Sequence, residues 1–577
     1  MKTFALRPLC CALAAAFLAS PLCSAEPEPA STDNGKALSR WGQLTGTQPP
    51  ELVADANGET RLIWSATGSV DLYSRESSGG ELLTPYSSGS FYAIRASSDS
   101  RQVNDDSATW LQLDVTGSND RALIPDAWQL NTLQAGHSGP GYQIAFGDVP
   151  VSYSTLGSNT ALRGLSAQRL FGPAALSASA GVIADSWTGL LDRNKRLQLL
   201  RNGIAVKGET ALTPSTSVFS TLQGYSDVAD SLPTGFGGVL PAAGRSGTAG
   251  FNFSSGRFSL QTEAGTSEFR ENGSAWLASG AGVVDATWQA EKVTVRSGYH
   301  DIGRNFASLS SAALPGVREA YLNGNWIASS WAVLTADLRT SRNRNATMQP
   351  RASIPAEGTL PTQYLAPIPE KTHSATVQAS LTVPQLRGVS ALVQGSVSRG
   401  SNADGGRNSL DNYGANLTYQ RSGWTWSGGY QQARTFNAAF ADSNATTHMW
   451  SASVGRTWTD PSGVLTLDGT LLGTRQRQDL DAGGRYTLDS ATLSAGVQHA
   501  RWGQLSASYT EGQGHDALSN RLRQSAARLE AQRALGKRGA IKLYAMRSDN
   551  FAGVAALAYR EQMVGIQLSY TLGGNPQ

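Results

Sequence analysis

Apolar and polar positions alternate along most of the chain, and residues 563–577, MVGIQLSYTLGGNPQ, carry the pattern without a break. Val564, Ile566, Leu568, Tyr570 and Leu572 interleave with Gly565, Gln567, Ser569 and Thr571. Successive side chains of a strand point to opposite faces, so this is a strand with one apolar and one small or polar face. Such a strand lies either on a soluble core with water behind it, or in a closed sheet with hydrocarbon outside and a wet lumen within. Helical periodicity is nearly absent elsewhere, and the same design recurs as hairpins. Phe251 and Phe253 lead through a Ser-Ser-Gly turn to Phe258, Leu260, Thr262 and Ala264. Tyr413, Ala415, Leu417 and Tyr419 lead through Arg421-Ser422-Gly423 to Trp424, Trp426, Gly428 and Tyr430. Trp450, Ala452 and Val454 lead through Asp460-Pro461-Ser462-Gly463 to Leu465, Leu467, Gly469 and Leu471. Period-two alternation on both sides of turn residues is the hairpin signature.

Connection lengths choose between the two environments. Further hairpins turn at 290–292, near 329–330, at 384–388, near 501–503 and at 536–539, whereas 342–373 and 434–448 are long polar stretches. Short turns at one end and long loops at the other characterise outer-membrane barrels; soluble sandwiches mix the lengths. Strands of about ten residues suit a tilted bilayer crossing. Trp288, Trp326, Trp331, Trp424, Trp426, Trp458 and Trp502 all lie close to short turns, as a girdle at a membrane interface requires, because indole pairs an apolar body with a polar N–H. The predicted fold is all-β: a large transmembrane antiparallel β-barrel of about 20–24 strands counted from Tyr142. The last strand, with Val564, Ile566, Leu568, Tyr570 and Leu572 on lipid, is expected to close against the first and leave no open edge. It resembles the C-terminal recognition strand of Gram-negative outer-membrane proteins, differing in its Gly-Gly-Asn-Pro-Gln tail. That resemblance implies the cell outer membrane as location, outer-membrane lipid and lipopolysaccharide as surroundings, and the barrel-assembly machinery as a partner.

The front of the chain agrees. Residues 1–25 have a basic start (Lys2, Arg7), an apolar stretch and a small-residue exit at Ala25, which reads as a secretory signal peptide; an uncleaved anchor and a lipoprotein centred on Cys23 are weaker alternatives. Cys10, Cys11 and Cys23 all fall inside it, so the mature chain has no thiol. That excludes a disulfide, a thiol nucleophile and a Cys-ligated metal. Charged residues make up 16%, with 62 Gly, 14 Trp and 17 Tyr, and the charged fraction is well below the roughly 25% of ordinary globular chains. Mean hydropathy of −0.27 leaves no run long enough for a membrane helix. A net charge of +3 gives no reason to expect nucleic acid.

The expected organisation is a flexible lead at 26–39, a small β-rich periplasmic domain or plug at 40–135, a barrel at 136–572 and a tail at 573–577. Segments such as GSFYAIRAS and ATWLQLDVTG are shorter and less regular than the alternating runs beyond residue 136; the competing reading makes WLQLDV the first barrel strand. In FGDVPVSYSTLGSNTALRGLSAQRLFG (146–172), Gly147-Asp148 is followed after a loop by Arg163-Gly164. This pairing resembles the early barrel of fimbrial ushers, which implies a secretion channel with an exported subunit and a periplasmic chaperone as partners. It departs from that family in lacking a recognisable plug insertion and C-terminal domains. The alternative is that these residues shape hairpin ends, as in any barrel.

Catalytic chemistry is not legible. His137, His300, His373, His448, His499 and His515 form no paired metal-ligand spacing, and no G-x-S-x-G elbow occurs. Glu511, His515 and Asp516, on an expected outer loop, are the nearest approach to a catalytic cluster. No enzyme activity, metal or cofactor is expected. Alternation instead aims Arg296, His300, Asp337, Arg339, Asp468, Arg528, Glu530 and Lys542 into the lumen, giving a polar wall of mixed charge, with wall-bracing ion pairs as the competing role. The expected function is an outer-membrane channel for export or assembly of a surface polymer or protein. The alternatives are a passive porin and a non-transport surface barrel, either an adhesin or a hydrolase.

Overall fold

The computed structural model describes residues 61–574, except 80–86, 104–105, 123, 125, 185, 233–239, 310–313, 346–369, 403–405, 439–443 and 552–557. The expected signal peptide and flexible lead lie outside these residues. Twenty-six strands run from β1 (Arg61–Gly79) to β26 (Tyr559–Gly574), each antiparallel to the next. β26 then pairs with β1 from Trp64↔Gly574 to Gly79↔Tyr559, so the sheet is a closed barrel. The expected pairing of last strand with first is therefore present.

Cross-strand register fixes which side chains face out. Val564, Leu568 and Tyr570 of β26 stand opposite Val70 and its alternates on β1, and all are exposed. Counting round the sheet by twos carries this outward set through exposed Leu529, Leu493, Leu417, Leu338 and Leu222. Each strand thus lays its apolar alternates on the outside, as a bilayer-spanning barrel needs. Connections at one end are short, with two residues at 140–141, 172–173, 214–215, 256–257, 330–331 and 422–423. At the other end they include 184–200, 228–241, 303–316 and 344–370. The seven tryptophans of the expected girdle gather at the short-turn end, all exposed. At the long-connection end the outward face carries arginines instead, paired with carboxylates as in Arg318–Asp301 at 2.6 Å.

Two expectations need correction. Residues 40–135 do not form a separate domain over their described part: β1, β2 (Gly89–Val103), β3 (Ala108–Ser118) and β4 (Trp128–Gly139) are wall strands. Their alternation is masked because small residues (Ala66, Gly68, Ala96) occupy lipid-facing positions. The competing reading of WLQLDV as a wall strand holds, although it is the third and not the first. From Tyr142 onward the described residues form 22 strands, within the expected 20–24, and the four before it bring the total to 26. Finally, pairing of β26 with Trp64 and Ser65 carries the last strand through Gly573 and Gly574, where the sequence predicts a tail.

Closure at the seam has its own device. The Tyr544 ring of β25 (Gly539–Phe551) lies over Gly565 of β26, where an added Cβ would sit 2.4 Å from the ring. Its hydroxyl donates to Asp71 of β1 at 2.8 Å. One side chain thereby ties three strands across the join.

Candidate functional site

Buried side chains are not spread evenly around the lumen. Nearly all of them lie at or before Leu309 in sequence, most of them within the sector built from β5 (Tyr142–Ser152), β6 (Asn159–Phe171), β7 (Ala174–Ile183), β8 (Arg201–Thr213), β9 (Thr216–Asp227), β10 (Ala242–Ser255), β11 (Phe258–Glu271), β12 (Leu277–Gln289) and β13 (Val293–Ile302). What fills that sector is the end of hairpin β5–β6, which leaves the wall. β4 pairs with β5 only as far as Gln134↔Gly147, and β7 pairs with β6 only as far as Val182↔Arg163. Beyond those points β5 and β6 pair with each other alone, from Val149↔Leu162 to Ser152↔Asn159.

Glycines explain where the hairpin bends. Gly147, Gly164, Gly181 and Gly203 are in register on four successive strands. Gly147 has φ +99°, and a Cβ there would stand 2.0 Å from the Leu133 carbonyl oxygen; only glycine suits both conditions. A Cβ on Gly164 would stand 2.1 Å from the Ala180 carbonyl oxygen. The row brings the backbones close and leaves room above them.

The hairpin's tip crosses to the far side of this sector. Ser154 Oγ donates to Glu263 Oε1 at 2.6 Å and the Leu156 N–H donates to Glu263 Oε2 at 3.0 Å. Thr248 Oγ1 supplies a third bond, to Oε1 at 2.6 Å. Glu263, on the lumen face of β11, is only 2% exposed. Leu156 is fully buried among Val283, Ile302 and Phe306. Along the hairpin's flank, Val149, Val151, Tyr153 and Leu162 pack with Trp110, Ala205 and Leu309. Full burial of an aliphatic side chain contributes about 1.5–3 kcal/mol, so the docked hairpin has a substantial apolar seat as well as a polar latch.

Residues 303–309, in the connection after β13, fold inward to meet it. The Ala307 N–H donates to Ser267 Oγ at 2.9 Å, and the Leu309 N–H donates to Gln223 Oε1 at 3.0 Å. Gln223 also donates through Nε2 to the Leu156 carbonyl at 3.4 Å, so one side chain holds both inward segments. The Leu309 side chain occupies the space over Gly203, where a Cβ would lie 2.4 Å from its Cδ1.

On the side away from the lumen, the hairpin's base is closed by a short helix, α1 (Trp187–Leu191), capped by Ser186, whose Oγ accepts from the Gly189 N–H at 2.8 Å. The Trp187 indole donates to Asp148 Oδ2 at 2.7 Å, and the Leu133 N–H reaches the same oxygen at 2.9 Å. Asp148 is ion-paired with Arg163 at 3.3 Å, and that guanidinium lies over the Trp187 ring. The four residues behind the usher resemblance, Gly147, Asp148, Arg163 and Gly164, thus form the base on which the hairpin turns inward. A third inward connection, 119–127, is anchored by Asp120, which accepts from Arg75 at 2.7 Å and Tyr73 at 2.6 Å. Burial alone would raise the Asp120 carboxyl, but the bonds from Arg75 and Tyr73 outweigh it and hold the group below the ordinary carboxylate range.

The lumen-facing candidates all lie on inward alternates, apart from this constriction. His300 contacts Asp285 at 3.1 Å, Tyr321 donates to the same carboxylate, and Arg296 lies over the Tyr321 ring. Asp337 accepts from Asn323 at 2.6 Å, and Arg339 stands 3.7 Å from Glu319. Asp468 lies over Gly496. Glu530 sits between Arg528 and Lys542, each with a nitrogen at 2.9 Å. Apart from Asp337 and Asp468, these are mixed-sign groupings along the wall. Glu511 and His515 are on strand β23 (Gly503–His515), not on a loop, and face outward. Asp516 accepts from the Leu518 and Asn520 backbone N–H groups in the following turn. The three do not converge. Among the described residues no group of three His, Cys, Asp or Glu is placed to hold a metal.

Sequence reading missed Glu263, Ser154, Leu156, Gln223 and Leu309. One signal was available: Val149 and Val151 put apolar side chains on alternates that a wet lumen leaves polar.

The chain matches no family model and no curated protein. Among solved structures it is similar to the P pilus usher (PapC) translocation pore, with 13% identity and TM-score 0.36 over 90% of this chain and 100% of that one. It is also similar to OccD3 (OpdP) of Pseudomonas aeruginosa, with 10% identity and TM-score 0.31 over 88% and 91%. A mutant of the ferric enterobactin receptor PfeA of the same organism gives 8% identity and TM-score 0.38 over 90% and 81%. Likenesses this distant carry no functional argument, and the barrel assignment rests on the strand pairing.

Proposed function

We propose that the chain is a gated channel of a Gram-negative outer membrane, with the β5–β6 hairpin as its gate and a polymer or protein chain as its cargo. The observation that carries this reading is the hairpin itself: wall strands that leave the wall, fold across one sector of the lumen and are latched on Glu263. A pore for small solutes needs only a fixed constriction, whereas a pore for a chain must close tightly and open widely, which suits a segment that can return to the wall. The outward apolar belt, the tryptophan girdle at the short-turn end and the polar rim opposite support the membrane setting. The hairpin base with Gly147, Asp148, Arg163 and Gly164 supports the export side of the reading, with an exported subunit and a periplasmic chaperone as partners. Folding into the membrane would use the barrel-assembly machinery.

Planar-bilayer recording tests it. The wild-type channel should be closed for most of the record, and variants that unlatch the hairpin should conduct in large steps. Steady large conductance of the wild type, unchanged by those variants, would favour a passive porin and reject the gate.

A further inference from the structure

Outward arginines ring the long-connection end, several of them ion-paired, as in Arg245–Glu268 and Arg399–Asp411. On β23, β24 (Arg521–Leu535), β25 and β26 they outnumber their carboxylates. Arg521, Arg523, Arg547 and Arg560 share two carboxylates. Arg547 and Arg560 both contact Asp549, Arg523 stands 3.2 Å from Glu511, and Arg521 has no ionic partner among the described residues. All four are on outward alternates by register. They border a groove of about 890 Å³ together with exposed Tyr509 and Phe551. Immediately below, toward the short-turn end, the same outward face becomes Ala527, Leu529, Ala545, Leu543 and Val564.

We propose that this groove binds the phosphorylated head of an outer-leaflet glycolipid, lipopolysaccharide, with its acyl chains lying on the strip from Ala527 to Val564. The inference rests on the outer-membrane reading above. Charge complementarity selects the occupant. Guanidinium groups form paired hydrogen bonds with phosphate, and neighbouring strands about 4.8 Å apart spread these arginines over a width that suits more than one phosphate. Cations set directly above an apolar wall require a ligand whose phosphates sit directly above its acyl chains. The surplus of guanidinium over carboxylate leaves charge for that ligand to neutralise.

The full chain, purified in detergent, is titrated with lipid A and, separately, with phosphatidylglycerol, and binding is read by native mass spectrometry. Wild type should retain lipid A in preference to phosphatidylglycerol, and the double variant R521Q/R523Q should lose at least tenfold in lipid A affinity. R245Q, at a matched pair elsewhere on the rim, should bind as wild type does. Heat-modifiable gel migration confirms that each variant is folded. Equal lipid A binding by wild type and R521Q/R523Q, or equal binding of the two lipids by wild type, overturns the proposal. Membrane fractionation separates its failure from that of the underlying reading: a chain found in the outer membrane whose lipid binding ignores these arginines refutes the groove alone.

Discussion

Replacing Glu263 by alanine should open the channel. Two of the three hydrogen bonds to its carboxylate come from the hairpin, from Ser154 Oγ and the Leu156 N–H. Bonds to a charged group contribute about 1.5–3 kcal/mol each, so Glu263→Ala removes roughly 3–6 kcal/mol of docking. It also leaves the buried Leu156 N–H without its acceptor. At 1.4 kcal/mol per factor of ten, the lower end of that range raises the open-to-closed ratio by roughly a hundredfold. The apolar seat of Leu156 against Val283, Ile302 and Phe306 remains, so the variant should flicker and not stay open permanently. Leu156→Ala, which removes that seat, should lengthen the openings, because such truncations cost about 2–5 kcal/mol. Single-channel recording gives open probability and dwell time directly. Glu268→Ala, on the same strand but facing outward at the rim, serves as control and should leave both unchanged. A folded Glu263→Ala barrel with the open probability of wild type would refute the latch.

Other outcomes follow from the same geometry. The chain has no cysteine beyond Cys23, and Gln261 Nε2 reaches Thr155 Oγ1 at 3.4 Å; oxidising a Thr155→Cys/Gln261→Cys double variant should abolish openings, and a reductant should restore them. Gly565→Ala pushes a methyl into the Tyr544 ring and should lower stability at the seam by about 1–3 kcal/mol, seen as loss of the folded gel band at a lower temperature. Tyr544→Phe removes only the bond to Asp71 and should cost about 1 kcal/mol. Asp120 has its carboxyl held below the ordinary range by Arg75 and Tyr73, so the stability it adds to connection 119–127 is complete above the unfolded value near 3.9 and is lost only as pH falls through the lower folded value. Protease cleavage within 119–127 should therefore be no faster at pH 5 than at pH 7, and should quicken only under more acid conditions.

The strand pattern was legible wherever lipid-facing positions are large. From β10 onward, alternates such as Phe251 and Phe253 or Trp424 and Trp426 mark each strand and its turn. It faded in β1 and β2, where Ala66, Gly68 and Ala96 hold lipid-facing positions. A bilayer tolerates small outward residues because neighbouring strands cover them, so the pattern weakens although the strand does not. Two-residue turns such as 256–257 and 422–423 were readable because they use glycine or another residue at positive φ, as with Ser422 at +52°.

The constriction was illegible for a different reason: its parts are far apart in the chain and each looks ordinary alone. Glu263 resembles any inward polar residue of a strand until Ser154 and Leu156, more than 100 positions away, are placed against it. What sequence did hold was the base of the hairpin. Gly147-Asp148 and Arg163-Gly164 fall opposite each other in register, and each member has a separate physical task. The glycines let two backbones bend out of the sheet, and the aspartate–arginine pair with Trp187 closes the side that bending exposes. A bend and a seal are needed together, because leaving the wall frees backbone groups of β4 such as the Leu133 N–H, which Asp148 then satisfies. The spacing of those four residues is therefore a consequence of the hairpin turning inward. An otherwise wet lumen lined there by Val149 and Val151 has the same cause.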